Sequence, residues 1–139
     1  ERKRLKVFKG SLDIEKAENI SSGSPAINKI HKGNNLIIKW VDHKIVKQVN
    51  KNRKVKSPWL VFINQAPSKG LFNCSYIKNT GQPWSMCVIA IEAECENEAK
   101  KIKEWLTGKE IQNEINEMFK LKNTHGVSKE MLEKLPWYE

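Results

Sequence analysis

The spacing of apolar positions changes character several times along the chain, and each change predicts an element. Residues 2–9 alternate basic and apolar positions, with Leu5, Val7 and then Phe8, as an edge strand would. The stretch that follows, to about Gly33, is rich in Ser, Gly and Asn and reads as a loop or a poorly ordered connection. Leu36-Ile37-Ile38-Lys39-Trp40-Val41 and Ile45-Val46-Lys47-Gln48-Val49 are β-rich runs, and the short Asp42-His43-Lys44 joint between them predicts a hairpin. Past Ser57-Pro58 the pattern becomes more apolar. Trp59-Leu60-Val61-Phe62-Ile63 has no polar alternation, which predicts a strand covered on both faces. After a polar loop over 64–70, Phe72, Cys74 and Tyr76 alternate in a strand over 71–77. A turn over 79–83 leads to Met86-Cys87-Val88-Ile89-Ala90-Ile91, the most apolar run and hence the central strand.

The last third has the 3.6-residue period of helices. Ala99, Ile102, Trp105 and Leu106 share one face, and Ile111, Ile115, Met118 and Phe119 share another. Between them Thr107-Gly108-Lys109-Glu110 fits a capping box, with Leu106 and Ile111 placed as its hydrophobic staple. A short helix over 128–135 follows, with Ser128 as its cap, Val127 and Leu132 as a staple, and Pro136 as its stop. Together these elements predict an α+β fold: a mixed or antiparallel sheet with two amphipathic helices near 96–121 on one side and a short C-terminal helix. Residues 1–57 form a basic segment and 58–139 the α+β core, one domain overall.

Charge sharpens that division. The 139-residue chain carries a net +9, yet residues 1–58 hold 15 basic and 5 acidic side chains while residues 59–139 hold 10 and 11. The excess therefore lies in the first segment and points to a polyanionic partner, nucleic acid before membrane. No apolar run approaches the roughly 20 residues that span a bilayer, so no membrane role and a cytoplasmic setting are expected. Cys74, Cys87 and Cys95 lack CxxC spacing, and His31, His43 and His125 match no metal motif, so no metal site is expected. Without an initiator Met, the chain reads as a fragment of a longer protein.

Catalytic signatures are missing: there is no GxGxxG, Walker loop, GxSxG or HExxH. None of the five prolines lies in an Asn/Asp-Pro-Pro-aromatic motif of the kind amino-methyltransferases use, so no catalytic residue is assigned. Glu98-Ala99-Lys100 with Asp42 imitates a nuclease set, but charged residues at the start of an amphipathic helix are better explained as its solvated face. Cys87, inside the central strand, is expected in the core. Nucleic-acid binding has more support. Seven basic residues (Lys39, Lys44, Lys47, Lys51, Arg53, Lys54 and Lys56) fall between 39 and 56, opposed only by Asp42. They suit a stripe of phosphate contacts, with Lys47, Lys51, Arg53, Lys54 and Lys56 as the selected candidates. The loop groups Asn64, Gln65, Lys69, Asn73 and Gln82 are the candidates for base readout. Exposed aromatics such as Trp40, Trp59 and Trp84 would instead suit an RNA or single-strand module.

From Pro58 onward the order of features resembles a known family. These are the apolar strand ending at Ile63 with Ala66 beyond it, two more strands, and the helix Glu96-Asn97-Glu98-Ala99-Lys100-Lys101-Ile102-Lys103-Glu104-Trp105-Leu106. A second helix follows, then Lys122-Asn123-Thr124-His125-Gly126-Val127-Ser128-Lys129 and a closing Leu135-Pro136. This resembles the target-recognition part of adenine-specific DNA methyltransferases of bacterial restriction-modification systems, including combined restriction and modification enzymes. The resemblance implies a parent that binds S-adenosylmethionine in a separate catalytic domain of the same chain and methylates adenine N6. This part would contact double-stranded DNA and carry no cofactor of its own. A small metal-dependent nuclease and an RNA or single-strand module are the alternatives.

Overall fold

The computed structural model describes the chain apart from residues 1, 4, 32–34, 53, 54, 65–71, 123–125, 136 and 139. Its centre is a four-stranded antiparallel sheet in the order β2 (Val7–Lys9), β7 (Val88–Ala93), β5 (Trp59–Asn64), β6 (Cys74–Lys78). β7 and β5 are the inner strands, paired from Trp59 with Ala93 to Asn64 with Val88. Both are apolar apart from Asn64 and Glu92, because both faces of the sheet are covered. Val61, Ile63, Ile89 and Ile91 point into one buried cluster, and Leu60, Phe62, Val88 and Ala90 into another. The short β1 (Arg2–Lys3) pairs with β8 (Trp137–Tyr138).

The first cluster is closed by α3 (Glu96–Leu106), α4 (Lys109–Lys122) and α5 (Lys129–Glu133). Ala99, Ile102, Leu106, Ile111, Ile115, Leu132 and Leu135 are all buried there. Among the described residues, five helices and antiparallel sheets make the α+β class plain. Ser128 caps α5 as expected, accepting from the Met131 N–H at 3.2 Å. The capping box at Thr107 does not form. Its hydroxyl donates back to the Lys103 carbonyl at 2.9 Å and so closes α3, although Leu106 and Ile111 still meet in the core. Cys95 caps α3 instead: its Sγ accepts from the Glu98 N–H at 3.4 Å, and the Glu98 carboxylate accepts from the Glu94 N–H at 3.2 Å.

The other face of the sheet carries a layer that the sequence pattern misjudged. Residues expected as loop form α1 (Leu12–Lys16) and β3 (Ser24–His31), and β3 pairs with β4 (Asn35–Val41), with a register shift between Ile27 and Lys29. The expected partner of β4 is not a strand: residues 43–51 are α2 (His43–Lys51), capped by Asp42, which accepts from the Lys44 N–H at 2.8 Å. The β-branched composition of Ile45, Val46 and Val49 imitates a strand. The adjacent polar pair Lys47-Gln48 breaks the two-residue alternation, and the i, i+1, i+4 spacing places the three apolar residues on one helical face. That face packs on Ile14, Ala26 and Val41, a small cluster outside the main core.

Candidate nucleic-acid interface

The helical form of residues 43–51 rearranges the basic residues. At 100° per residue, Lys44, Lys47, Gln48 and Lys51 fall within an arc of about 100°, and all four are exposed. Lys44 and Lys51 lie about 10 Å apart along the axis. The helix holds no acidic residue; Asp42 is occupied at its N-cap, and Asp13 of α1 lies across a shallow pocket shared with Lys44 and Gln48. The outcome is a rod with one apolar and one cationic face, anchored at its far end where the Asn50 side-chain amide donates to the Gly81 carbonyl at 3.0 Å. His43, in the first turn, hydrogen-bonds through Nδ1 to the Ser24 hydroxyl and ties the near end to β3.

Of the five phosphate candidates, Lys47 and Lys51 share this face and Lys56 is exposed beyond it, while Arg53 and Lys54 lie outside the described residues. Lys39, counted in the sequence as part of the stripe, has a different job. Its ammonium donates to the carbonyls of Ile14 at 3.2 Å and Glu15 at 2.9 Å, so it holds the end of α1 against β4. Lys44, counted in the stripe but not among the five selected, shares the face, and Gln48 is the addition. Their signal was in the sequence: an Asp N-cap followed by polar residues at i, i+3, i+4 and i+7.

The base-readout candidates do not converge. Asn64 and Asn73 close the open end of the β5–β6 pair, the Asn64 side-chain oxygen accepting from the Asn73 N–H at 2.9 Å. Gln82 lies by the other end of those strands and is buried, its side-chain oxygen accepting from the Thr80 N–H at 3.0 Å. The side-chain amides of Asn64 and Gln82 are spent on turns, and Asn73 takes part through its backbone N–H. Gln65 and Lys69 lie outside the described residues.

Asp42 and Glu98, the acidic parts of the nuclease alternative, are separated by the sheet and both serve as helix caps. No group of three or more His, Cys, Asp or Glu is placed to hold a metal among the described residues. No described helix is long and apolar enough to cross a membrane. Cys87 is not in the core, as its neighbours suggested; it is exposed just ahead of β7 and its thiol donates to the Glu15 carboxylate at 3.2 Å. Partial burial and that carboxylate raise its pKa above the ordinary thiol value. Cys74 is the buried thiol, pushed up to about 12 by desolvation. Of the three tryptophans suited to stacking, Trp84 is buried edge-on to Phe62, Trp59 packs on Tyr76, and Trp40 is exposed on β4. The sequence matches no protein-family model and no curated protein.

Proposed function

We propose that the chain binds double-stranded DNA as the target-recognition domain of a bacterial restriction-modification adenine-N6 methyltransferase. The S-adenosylmethionine-binding catalytic domain would lie elsewhere in the parent chain, in the cytoplasm. The observation that carries the binding half is the face of α2: three lysines and an amide, all exposed, on a helix without an acidic residue. A helix of this diameter fits a major groove about 12 Å wide, and lysines spread over about 10 Å of axis reach phosphates on its walls. The methyltransferase half rests on the order of strands, helices and closing residues from Pro58 onward. The two halves are tested separately. Affinity for duplex DNA should fall with salt on a log–log slope of about −0.9 for each phosphate engaged. Changing Lys44, Lys47 and Lys51 to Gln should reduce that slope by nearly three; a slope that the triple change leaves intact removes α2 from the interface. A salt-insensitive affinity would remove the phosphate-contact reading of the basic residues. The parent assignment is tested by fusing the domain to a heterologous adenine methyltransferase catalytic domain and mapping methylated adenines: one fixed motif is expected, and scattered methylation refutes it.

A further inference from the structure

Several side-chain amides are committed within the fold. Asn50 donates to the Gly81 carbonyl at 3.0 Å, Asn79 to the Ser57 carbonyl at 2.8 Å and Gln112 to the Thr107 carbonyl at 3.5 Å, while Asn19 accepts from the Trp40 N–H at 2.8 Å. Gln48 differs from these: it is exposed, and its side-chain amide bonds to no other described residue. Around the axis of α2, Lys47, Lys51 and Lys44 occupy an arc of about 60°, and Gln48 follows about 40° beyond Lys44. Two hollows border Gln48 on that flank, where Asp13 and Glu130 are interleaved with Lys9, Lys16 and Lys129. The uniformly cationic part of the helix therefore ends at Gln48. Phosphates are drawn to the lysine arc, and the flank of mixed charge suits base edges, which carry donors and acceptors but no net charge. An amide in that position has one specific complement. In the major groove adenine alone sets an acceptor, N7, beside a donor, the N6 amino group, whereas guanine shows only acceptors and cytosine and thymine a single polar group each.

We infer that Gln48 is a specificity-determining residue of this interface. Its amide donates to N7 and accepts from the N6 amino group of one adenine in the major groove, while Lys44, Lys47 and Lys51 hold the adjoining phosphates. The inference rests on the DNA-binding reading, but its test separates the two. Preferred duplexes are selected from a randomised pool by the whole chain and by its Gln48→Ala variant. The wild-type motif should contain one A·T position that the variant no longer reads, while its other positions persist. The preference for adenine at that position should be about five- to 150-fold in the wild-type chain and absent in the variant. Replacing that adenine by 7-deazaadenine, which lacks the N7 acceptor but still pairs with thymine, should weaken wild-type binding about three- to tenfold. The same replacement should leave Gln48→Ala binding unchanged, a difference that a merely structural role of Gln48 does not produce. A variant motif identical to the wild-type one, loss of a position other than A·T, or equal sensitivity of both chains to 7-deazaadenine overturns the inference. So does a wild-type selection that yields no motif. Each of these failures leaves the salt-dependent affinity for duplexes of any sequence untouched, whereas absence of that affinity would strike the DNA-binding reading itself.

Discussion

The two faces of the central sheet are covered in opposite ways. On one, α3, α4 and α5 drive long apolar side chains into a single large cluster in which Ile102, Leu106 and Leu132 are almost wholly buried. On the other, α2 is strongly amphipathic yet has no buried residue at all; Ile45, Val46 and Val49 are only half-covered by a cluster of three small contributors. α3 and α4 bury their apolar stripes, whereas α2 buries none of its residues and leaves its polar face exposed. The difference also assigns the charge. The lysines of α2 lie on the weakly held layer, where local opening is cheapest and adjustment to a partner costs least.

The comparison can be tested at its strongest point first. Leu106→Ala should destabilise the fold by about 2–5 kcal/mol in urea unfolding, whereas Val49→Ala on α2, only half-buried, should cost about 1 kcal/mol or less; equal losses would erase the distinction. Hydrogen exchange should then find the α2 amides opening well before those of α3, with global unfolding needed only for the latter. Lys39→Met should cost about 1 kcal/mol through the two carbonyl bonds it makes to α1, and little duplex affinity, unlike Lys47→Gln. A fall in the salt slope with Lys39→Met would put it back among the phosphate contacts. The smallest effect is chemical. Because the Glu15 carboxylate helps to raise the Cys87 pKa, less thiolate is present at pH 8 than for an ordinary thiol. Glu15→Gln should move that pKa down and speed alkylation of Cys87 by a few-fold, while Cys74 stays protected.

How much of this was legible in the sequence follows the same division. β5 and β7 could be read because a continuous apolar run has few homes other than a doubly covered strand. α3 and α5 could be read from periodicity and, for α5, from Ser128. α2 could not, since β-branched residues dominate its apolar face and only the Lys47-Gln48 pair betrays the helical period. α1 has five residues, too few to show a period, and β3 is hidden by the Ser-Gly-Pro composition at its start. At the candidate site the lysines were visible as a set but not as a face; one of them, Lys39, proved to be a brace. Gln82 and Asn64 were chosen because amides can read bases, but amides in turns are recruited first by unpaired backbone groups within reach.

One junction has a consequence for how the chain is made. Ser11 donates to the Trp84 carbonyl at 2.8 Å, Ile27 donates to Pro83 at 2.9 Å, and Ser85 donates back to Ile27 at 2.9 Å. Gly10 passes so close that a Cβ there would lie 1.7 Å from the Ser85 carbonyl oxygen. Three distant stretches thus lock together at one point, and the third is translated long after the other two. The cationic layer is translated before residues 83–91, and until they are out it can meet only β5 of its docking surface, through Leu60 and Phe62. A truncated product ending before Trp84 would present that layer as a loose polycation, a form prone to indiscriminate capture of nucleic acid and to proteolysis. Substituting Gly10 by Ala should reproduce part of that state in the full-length chain.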